Sequence, residues 1–263
     1  MGIFTTAVTG MATAVDAATL VDKNTSWFKR IINRYLKSTI NVLVYGDSGV
    51  GKTQFLLTLT GKDSYYAPVR TRELNHYELE LRSGRLVRFI DTPGHQSDKK
   101  ARTSALDDMT KGKIQGIINI VSYGYQDSED LQKNPDMAFQ NGTNVVKPQY
   151  LKQNRMLEIE RTKEIIERIS SNVQLQWFIT LVNKADVWNK EREQVMQYYD
   201  GEEFRKSMEN LEHATRVTIC PFCSVITPFG NQDMILSYGE RDKKKDFINL
   251  IKALEEFING HHE

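Results

Sequence analysis

The stretch Gly46-Asp47-Ser48-Gly49-Val50-Gly51-Lys52-Thr53 constrains the fold of this chain more than any other. It fits the pattern G-x-x-x-x-G-K-[ST], whose glycines let the backbone curl around an anion and aim successive N–H groups at phosphate oxygens. In such a loop, Lys52 reaches the β- and γ-phosphates and Thr53 offers its hydroxyl to Mg²⁺. A helix that begins at about Lys52, with Gln54 in its first turn, adds the positive end of its dipole. These residues predict a site for a nucleoside triphosphate.

The sequence on both sides of this loop supports that interpretation. Residues Ile40-Asn41-Val42-Leu43-Val44-Tyr45 are apolar and β-branched, which predicts a buried parallel strand. After the loop, apolar residues from Phe55 to Leu59 give a helix one apolar face, and Gly61 ends it. An ordinary glycine-rich turn is the alternative, but it does not require a strand before it and a helix after it.

Composition and charge limit the class of protein. With 263 residues, of which 40% are hydrophobic, the chain can bury one substantial core. A net charge of +1 gives no overall signal for nucleic-acid binding. The sequence shows no apolar run long enough to span a membrane, no secretory signal, and only two cysteines. These features predict a cytoplasmic protein, because disulfide frameworks need more cysteines and an oxidising compartment.

The first 38 residues differ in composition from the rest, so we expect an N-terminal arm and helix at 1–38 before a main domain at 39–263. Residues 1–25 are rich in threonine and alanine. Residues 26–38 predict a basic amphipathic helix with Trp27 and Phe28 on its apolar side. This helix either packs on the main domain or lies on an anionic membrane surface. The first interpretation is favoured, because one short helix binds membranes weakly.

Two further motifs follow predicted strands. Asn75 to Arg82 alternates polar and apolar residues, and Leu86 to Ile90 pairs back after a Ser83-Gly84 turn. The second of these strands leads directly into Asp91-Thr92-Pro93-Gly94-His95. Much later, the apolar strand Trp177 to Val182 leads into Asn183-Lys184-Ala185-Asp186.

In this order and context, the three motifs resemble those of the G domain in translation-factor-related and Ras-like GTPases. The resemblance covers about residues 39 to 259. It implies an α/β fold, the three-layer P-loop NTPase G domain, with a mostly parallel central sheet of about six strands flanked by helices. We expect further strands at Ile114–Val121 and from Arg216 to Cys220, with Val225 as the alternative end of the second strand. Further helices are expected at 98–111, at 150–170, at 190–213 with a break at Asp200-Gly201, and in a last segment that ends at Gly260. The spacing in 150–170 predicts a buried stripe of Met156, Ile159, Ile166 and Ile169.

The resemblance assigns recognition of the base to residues after two strands. The Asp186 carboxylate accepts hydrogen bonds from guanine N1–H and the N2 amine, and an adenine base would leave it unpaired. Asn183 binds the base edge and the P-loop, while the Lys184 stem covers the base plane. The last guanine-binding segment is expected at Ser224-Val225, where the N–H of Val225 meets the guanine oxygen. The S-A-K sequence that is usual there is absent.

The same resemblance assigns metal binding and catalysis. Asp91 holds Mg²⁺ through a water, and the Gly94 N–H contacts the γ-phosphate. Thr71 is the candidate switch threonine that binds Mg²⁺ together with Thr53, and a loop threonine without a ligand is the alternative. His95 positions the attacking water, unless it is merely exposed. Arg70 is the nearest candidate for an arginine that acts within the chain.

The sequence therefore predicts a GTP-binding protein that hydrolyses GTP to GDP with Mg²⁺ and acts as a molecular switch. The alternative is a GTP-dependent binding module with negligible hydrolysis that recruits a protein partner or a membrane. A partner is expected at the switch loops or at residues 126–149, which are interpreted as a polar surface insertion. Cys220 and Cys223 are interpreted as core cysteines at the end of a strand, with a zinc or redox role as the alternative.

Overall fold

The computed structural model describes residues 39–61, 74–94, 103, 106, 114–140, 143–169, 175–211, 216–229 and 237–260. The predictions for residues 1–38 and for Arg70, Thr71 and His95 lie outside these residues. So does the predicted helix at 98–111, except for Thr103 and Leu106, which are both helical.

In the described part of the chain, six strands form one sheet in the order β2-β3-β1-β4-β5-β6. Strand β2 runs antiparallel to β3, and every other neighbouring pair is parallel. The mostly parallel sheet of about six strands is therefore confirmed. The strands are β1 (Ile40–Tyr45), β2 (Asn75–Glu80), β3 (Leu86–Asp91), β4 (Ile114–Val121), β5 (Trp177–Val182) and β6 (Arg216–Pro221).

The described helices include those expected after the P-loop, from about residue 150, from about residue 190 and at the end of the chain. They are α1 (Lys52–Leu59), α2 (Glu129–Lys133), α3 (Pro148–Ile169), α4 (Ala185–Trp188), α5 (Arg192–Asp200), α6 (Glu202–Lys206) and α7 (Glu240–Asn259), with single 3₁₀ turns at Pro135–Met137, Asn189–Glu191 and Glu209–Leu211. Of these helices, α2 and α4 were not predicted. The predicted break at Asp200-Gly201 separates α5 from α6. None of the described helices is long and apolar enough to cross a membrane.

The sheet is the middle of three layers, because alternate residues of a strand point to opposite faces. Val42 and Val44 of β1 belong to a core cluster that includes residues of α1 and α7. Leu43 and Tyr45 belong to a second cluster that includes Ile165, Ile166 and Ile169 of α3. Helices thus cover both faces of the sheet, as the three-layer fold requires.

Two details of the predicted elements are wrong. Met156 was expected in the buried stripe of α3, but 53% of its side chain is exposed. The inward positions near it belong to Asn154 and Glu158, which are buried and hydrogen-bonded. Strand β6 ends at Pro221 and does not continue to Val225, because the following backbone turns away to bind side chains of the motif after β5.

Candidate nucleotide site

The P-loop leaves β1 and enters α1 in the geometry that its glycines allow. Gly51 precedes the first residue of α1 and has φ 94°, a left-handed conformation that favours glycine. A Cβ atom at this position would lie 2.5 Å from the Asn183 side chain. Glycine at 51 therefore permits both the entry into the helix and the close approach of the motif that follows β5.

Lys52 lies at the centre of the loop and is buried. Its Nζ donates hydrogen bonds to the carbonyl oxygens of Gly46 at 3.1 Å and Asp47 at 2.9 Å. A Cβ atom on Gly94 would lie 2.4 Å from the same Nζ, so the end of the β3 motif abuts the loop. The structure thus brings Lys52 and Gly94 together, as a shared γ-phosphate site requires.

Thr53 and Asp91, the two predicted Mg²⁺ ligands that the structure describes, are in direct contact. Thr53 Oγ1 donates to Asp91 Oδ2 at 2.7 Å. Asp91 is fully buried, and its Oδ1 has no hydrogen-bond partner among the described residues. Burial raises the pKa of this carboxyl, while Lys52 and the Thr53 hydroxyl act in the opposite direction. A hydroxyl and a carboxylate oxygen are hard ligands, so the pair fits Mg²⁺.

Asn183 joins three parts of the site. Its Nδ2 donates to the Val50 carbonyl at 2.8 Å, which is the contact with the P-loop expected from the sequence. Its Oδ1 accepts hydrogen bonds from the N–H and the hydroxyl of Ser224, both at 3.1 Å. Ser224 also accepts a hydrogen bond at its carbonyl from Thr58 of α1. The predicted segment after β6 therefore lies beside Asn183 and α1, with Val225 partly exposed.

Asp186 is fully buried in α4. Its Oδ1 accepts a hydrogen bond from Cys223 Sγ at 3.3 Å, and its Oδ2 accepts one from the Thr227 N–H at 2.9 Å. Burial raises the pKa of Asp186, and these hydrogen bonds partly offset that shift. Neither donor was predicted to contact Asp186, because Cys223 was interpreted as a core cysteine and Thr227 carries no motif of its own.

Lys184 precedes α4 in a left-handed conformation with φ 62°. Its Nζ lies 5.0 Å from the centre of the Phe229 ring, within the range of a cation–π interaction. Burial lowers the pKa of Lys184 to about 8, although Asp127 and Asp186 act to raise it. Phe229 was also missed in the sequence, where it is a single aromatic residue in an irregular segment.

Helix α3 contributes a charge to the P-loop that no sequence pattern indicated. The Asp47 carboxylate accepts a hydrogen bond from the Ser48 N–H at 2.8 Å and lies 3.8 Å from Arg161 Nε. Both side chains are largely buried, which makes this ion pair less screened than a surface pair. Gln54 lies in the first turn of α1 and is partly exposed.

A model of the family described as 50S ribosome-binding GTPase matches residues 41–184, more than half of the chain. The chain belongs to this family of P-loop GTPases. Membership supports GTP as the nucleotide that the loop binds. A search of curated proteins found no match.

Solved structures include a more distant match. Translation elongation factor SelB from Methanococcus maripaludis, in complex with the GTP analogue GppNHp, is 15% identical, with a TM-score of 0.42. The match covers 85% of this chain and 34% of that one, so this GTPase spans about a third of the length of SelB.

Proposed function

We propose that this GTPase hydrolyses GTP to GDP and phosphate with Mg²⁺ and acts as a nucleotide-dependent molecular switch. The contact between Thr53 and Asp91 carries the proposal. In support, two candidate oxygen ligands lie near Lys52 and Gly94, at the end of the P-loop where the β- and γ-phosphates would lie.

The chemistry that the chain supplies is mainly positioning and electrostatic stabilisation. The P-loop N–H groups and Lys52 bind the phosphates, and the Gly94 N–H contacts the γ-phosphate as charge develops. Thr53 and Asp91, with Thr71, would hold Mg²⁺, which when bound neutralises phosphate charge. His95 orients the attacking water in line with the bond that breaks. Intrinsic turnover in such domains can be as slow as ~10⁻⁴ s⁻¹, so a partner that accelerates it is expected.

Recognition of guanine follows from the residues around Asp186. Its carboxylate would accept the guanine N1–H and N2 amine, and Asn183 would bind the base edge. Lys184, supported by Phe229, would cover one side of the base. The backbone at Ser224 and Val225 would meet the guanine oxygen, since Ser224 is already bonded to Asn183.

The switch itself would consist of the loops around Thr71 and Gly94, which order with GTP and relax with GDP. A protein effector or activator would bind these loops or residues 126–149. In that segment, about half of each Met137 and Val145 side chain is exposed, which gives a partner apolar area to bury. A difference in partner binding between the GDP and GppNHp states would distinguish a switch from a constitutive scaffold.

The substitution His95→Ala tests hydrolysis directly. The single-turnover rate of GTP hydrolysis is expected to fall by about 10²-fold or more, because one positioned catalytic side chain contributes roughly this factor to the rate. The dissociation constant for GTP should change little, since His95 follows the phosphate-contacting Gly94 and does not bind the base. Measuring both quantities on the same preparation separates binding from chemistry.

His76→Ala is a matched control, because His76 is exposed on the edge strand β2. It should leave both quantities unchanged. Unaltered hydrolysis in His95→Ala would contradict the assigned role of His95. Hydrolysis that is negligible in the unsubstituted chain, with GTP bound, would instead favour the binding module.

A further inference from the structure

The turn that follows β4 has an unusual backbone. Tyr123 has φ 55° and Gly124 has φ 84°, so two consecutive residues are left-handed. A left-handed conformation is unfavourable for a bulky residue such as tyrosine and persists only where the surroundings enforce it. A Cβ atom at Gly124 would also lie 2.4 Å from the Leu151 carbonyl oxygen of α3. This turn, residues 122–126, is therefore held in a conformation that it would not adopt alone.

Glu158 of α3 accepts three of the hydrogen bonds that hold the turn. Its Oε1 accepts from the Ser122 N–H at 2.8 Å, the Ser122 hydroxyl at 3.2 Å and the Gly124 N–H at 3.1 Å. Its Oε2 accepts from the Tyr199 hydroxyl at 2.7 Å. Backbone N–H groups that converge on one oxygen form a small anion-binding concavity, here filled by a side chain of the same protein.

Three neighbouring side chains complete this network. The Tyr199 hydroxyl accepts a hydrogen bond from the Tyr123 N–H at 2.8 Å. Asn154 Nδ2 donates to the Gly124 carbonyl at 3.0 Å, and the Tyr150 hydroxyl donates to the Gln126 carbonyl at 2.7 Å. These three side chains come from α3 and α5, so two helices hold the turn.

The turn ends where the chain contacts the P-loop. The Asp127 N–H donates to the Gly49 carbonyl at 3.0 Å. Gly49 has φ 76°, and a Cβ atom there would lie 2.7 Å from the Asp127 carbonyl carbon. The peptide of Asp127 therefore packs directly on the loop that binds phosphate. A small displacement of this peptide would displace Gly49, and positioning errors of about 1 Å can cost a large share of function.

We propose that Glu158 is a positioning residue for the nucleotide site, which acts by fixing the turn 122–126 so that Asp127 supports Gly49 of the P-loop. Glu158 itself does not touch the nucleotide. The inference rests on nucleotide binding by the P-loop and does not require hydrolysis.

The experiment compares Glu158→Leu, Glu158→Gln and Tyr199→Phe in the full chain. Fluorescent N-methylanthraniloyl-GDP measures the dissociation constant, and amide hydrogen exchange of residues 122–128 measures protection of the turn. Glu158→Leu should raise the dissociation constant by at least about 10-fold. A modest loss of binding free energy is enough for a change of this size. Glu158→Gln keeps an acceptor for the turn and should stay within about 3-fold. Tyr199→Phe should lie between these two and should speed exchange at Asp127.

Ile166→Ala is the matched control. Ile166 is buried on the same helix as Glu158, but it packs in an apolar cluster that contains no residue of the turn 122–126. It should lower the melting temperature without changing the dissociation constant or the exchange at Asp127. Wild-type affinity in both Glu158→Leu and Tyr199→Phe would overturn the proposal. An equal loss of affinity in Ile166→Ala would also overturn it, because general stability would then explain the effect. Hydrolysis is not measured here, so the fate of that separate proposal does not affect the outcome.

Discussion

The carboxylate of Asp186 is buried and is held in one orientation by two hydrogen bonds. Cys223 and Thr227 each donate to one of its oxygens, so the orientation of the carboxylate plane is fixed by groups 37 and 41 residues away in the chain. Buried acceptors that lose their partners carry a large desolvation cost. In the role proposed for Asp186, this carboxylate would reject a base that offers it no donors.

Asp186→Asn changes which base is accepted. An amide offers N–H donors where the carboxylate offered only acceptors, and xanthine has an oxygen where guanine has its N2 amine. The variant should lose at least about 10²-fold in affinity for GTP, because polar mismatches in a built site discriminate strongly. Its affinity for xanthosine triphosphate should rise. Competition of unlabelled GTP, ATP and XTP against a fluorescent nucleotide measures these preferences.

Asp200→Asn is the control for this substitution, since Asp200 is exposed and belongs to the end of α5. If ATP and GTP compete equally well for the unsubstituted chain, Asp186 has no role in choosing the base.

For single residues, the sequence predicted those whose chemistry is carried by a short motif. Cys223, Thr227 and Glu158 could not be found in that way, because their roles depend on contacts with distant segments.

Helix α3 explains why the buried face of an element can be predicted only in part. Hydrophobic spacing correctly placed Ile159, Ile166 and Ile169 inside, but it also placed Met156 inside. Three inward positions of α3 are polar: Asn154, Glu158 and Thr162, spaced four residues apart, bind the β4 strand and its turn. A rule based on burial of apolar area cannot recognise positions that are buried for hydrogen bonding.

The strands were predicted more completely than the helices. Strands β1, β4 and β5 are buried nearly throughout, and their apolar runs are typical of parallel strands covered on both faces. Strand β6 is less buried, and its end was misjudged. The apolar residues after Pro221 suggested a longer strand, whereas the backbone there binds Asn183 and Asp186. Side-chain acceptors from another element therefore replaced the expected strand hydrogen bonds.

Helices α5 and α7 are joined by a bidentate ion pair that should matter for stability. Arg192 donates to both oxygens of Asp246 at 2.6 and 3.2 Å, and Asp246 is almost fully buried. Arg192→Ala should lower the free energy of unfolding by about 2–3 kcal/mol, since removing one partner leaves a buried charge but Arg192 is one-third exposed. Chemical denaturation followed by circular dichroism measures the change.

Arg205→Ala provides the comparison, because Arg205 pairs with Asp200 on the surface. This substitution should lower the free energy of unfolding by at most about 1 kcal/mol. Arg192→Lys should recover only part of the loss, since lysine cannot donate in a planar fork. Equal effects of the two alanine substitutions would show that burial of Asp246 does not determine the contribution of the pair.

At the scale of the whole molecule, the candidate site lies at one edge of the sheet. The P-loop follows β1, Asp91 ends β3, the Asn183 motif follows β5, and Ser224 follows β6. The carboxyl ends of parallel strands meet at one edge, where ligands of open α/β sheets bind. A nucleotide in this position would contact segments from much of the chain. Its binding should therefore stabilise the fold as a unit.

Binding of the nucleotide should raise the stability of the folded chain. Mg²⁺ and GDP at about 100 times the dissociation constant should stabilise the chain by about 2.7 kcal/mol, because GDP binds only the folded state. For a domain of this size, that corresponds to a rise in melting temperature of roughly 5–10 °C. ADP should give no comparable rise. Differential scanning fluorimetry with each nucleotide measures the shift.

A chain reduced to residues 39–263 separates the two predicted parts of the protein. With GDP, the melting temperature of this shorter chain should rise by the same amount, because every described site residue lies within it. If residues 26–38 contact a membrane, the full chain should float with vesicles that contain anionic lipid, and the shorter chain should not. A shorter chain that folds but no longer responds to GDP would contradict the predicted boundary after residue 38. The nucleotide site would then depend on the N-terminal segment.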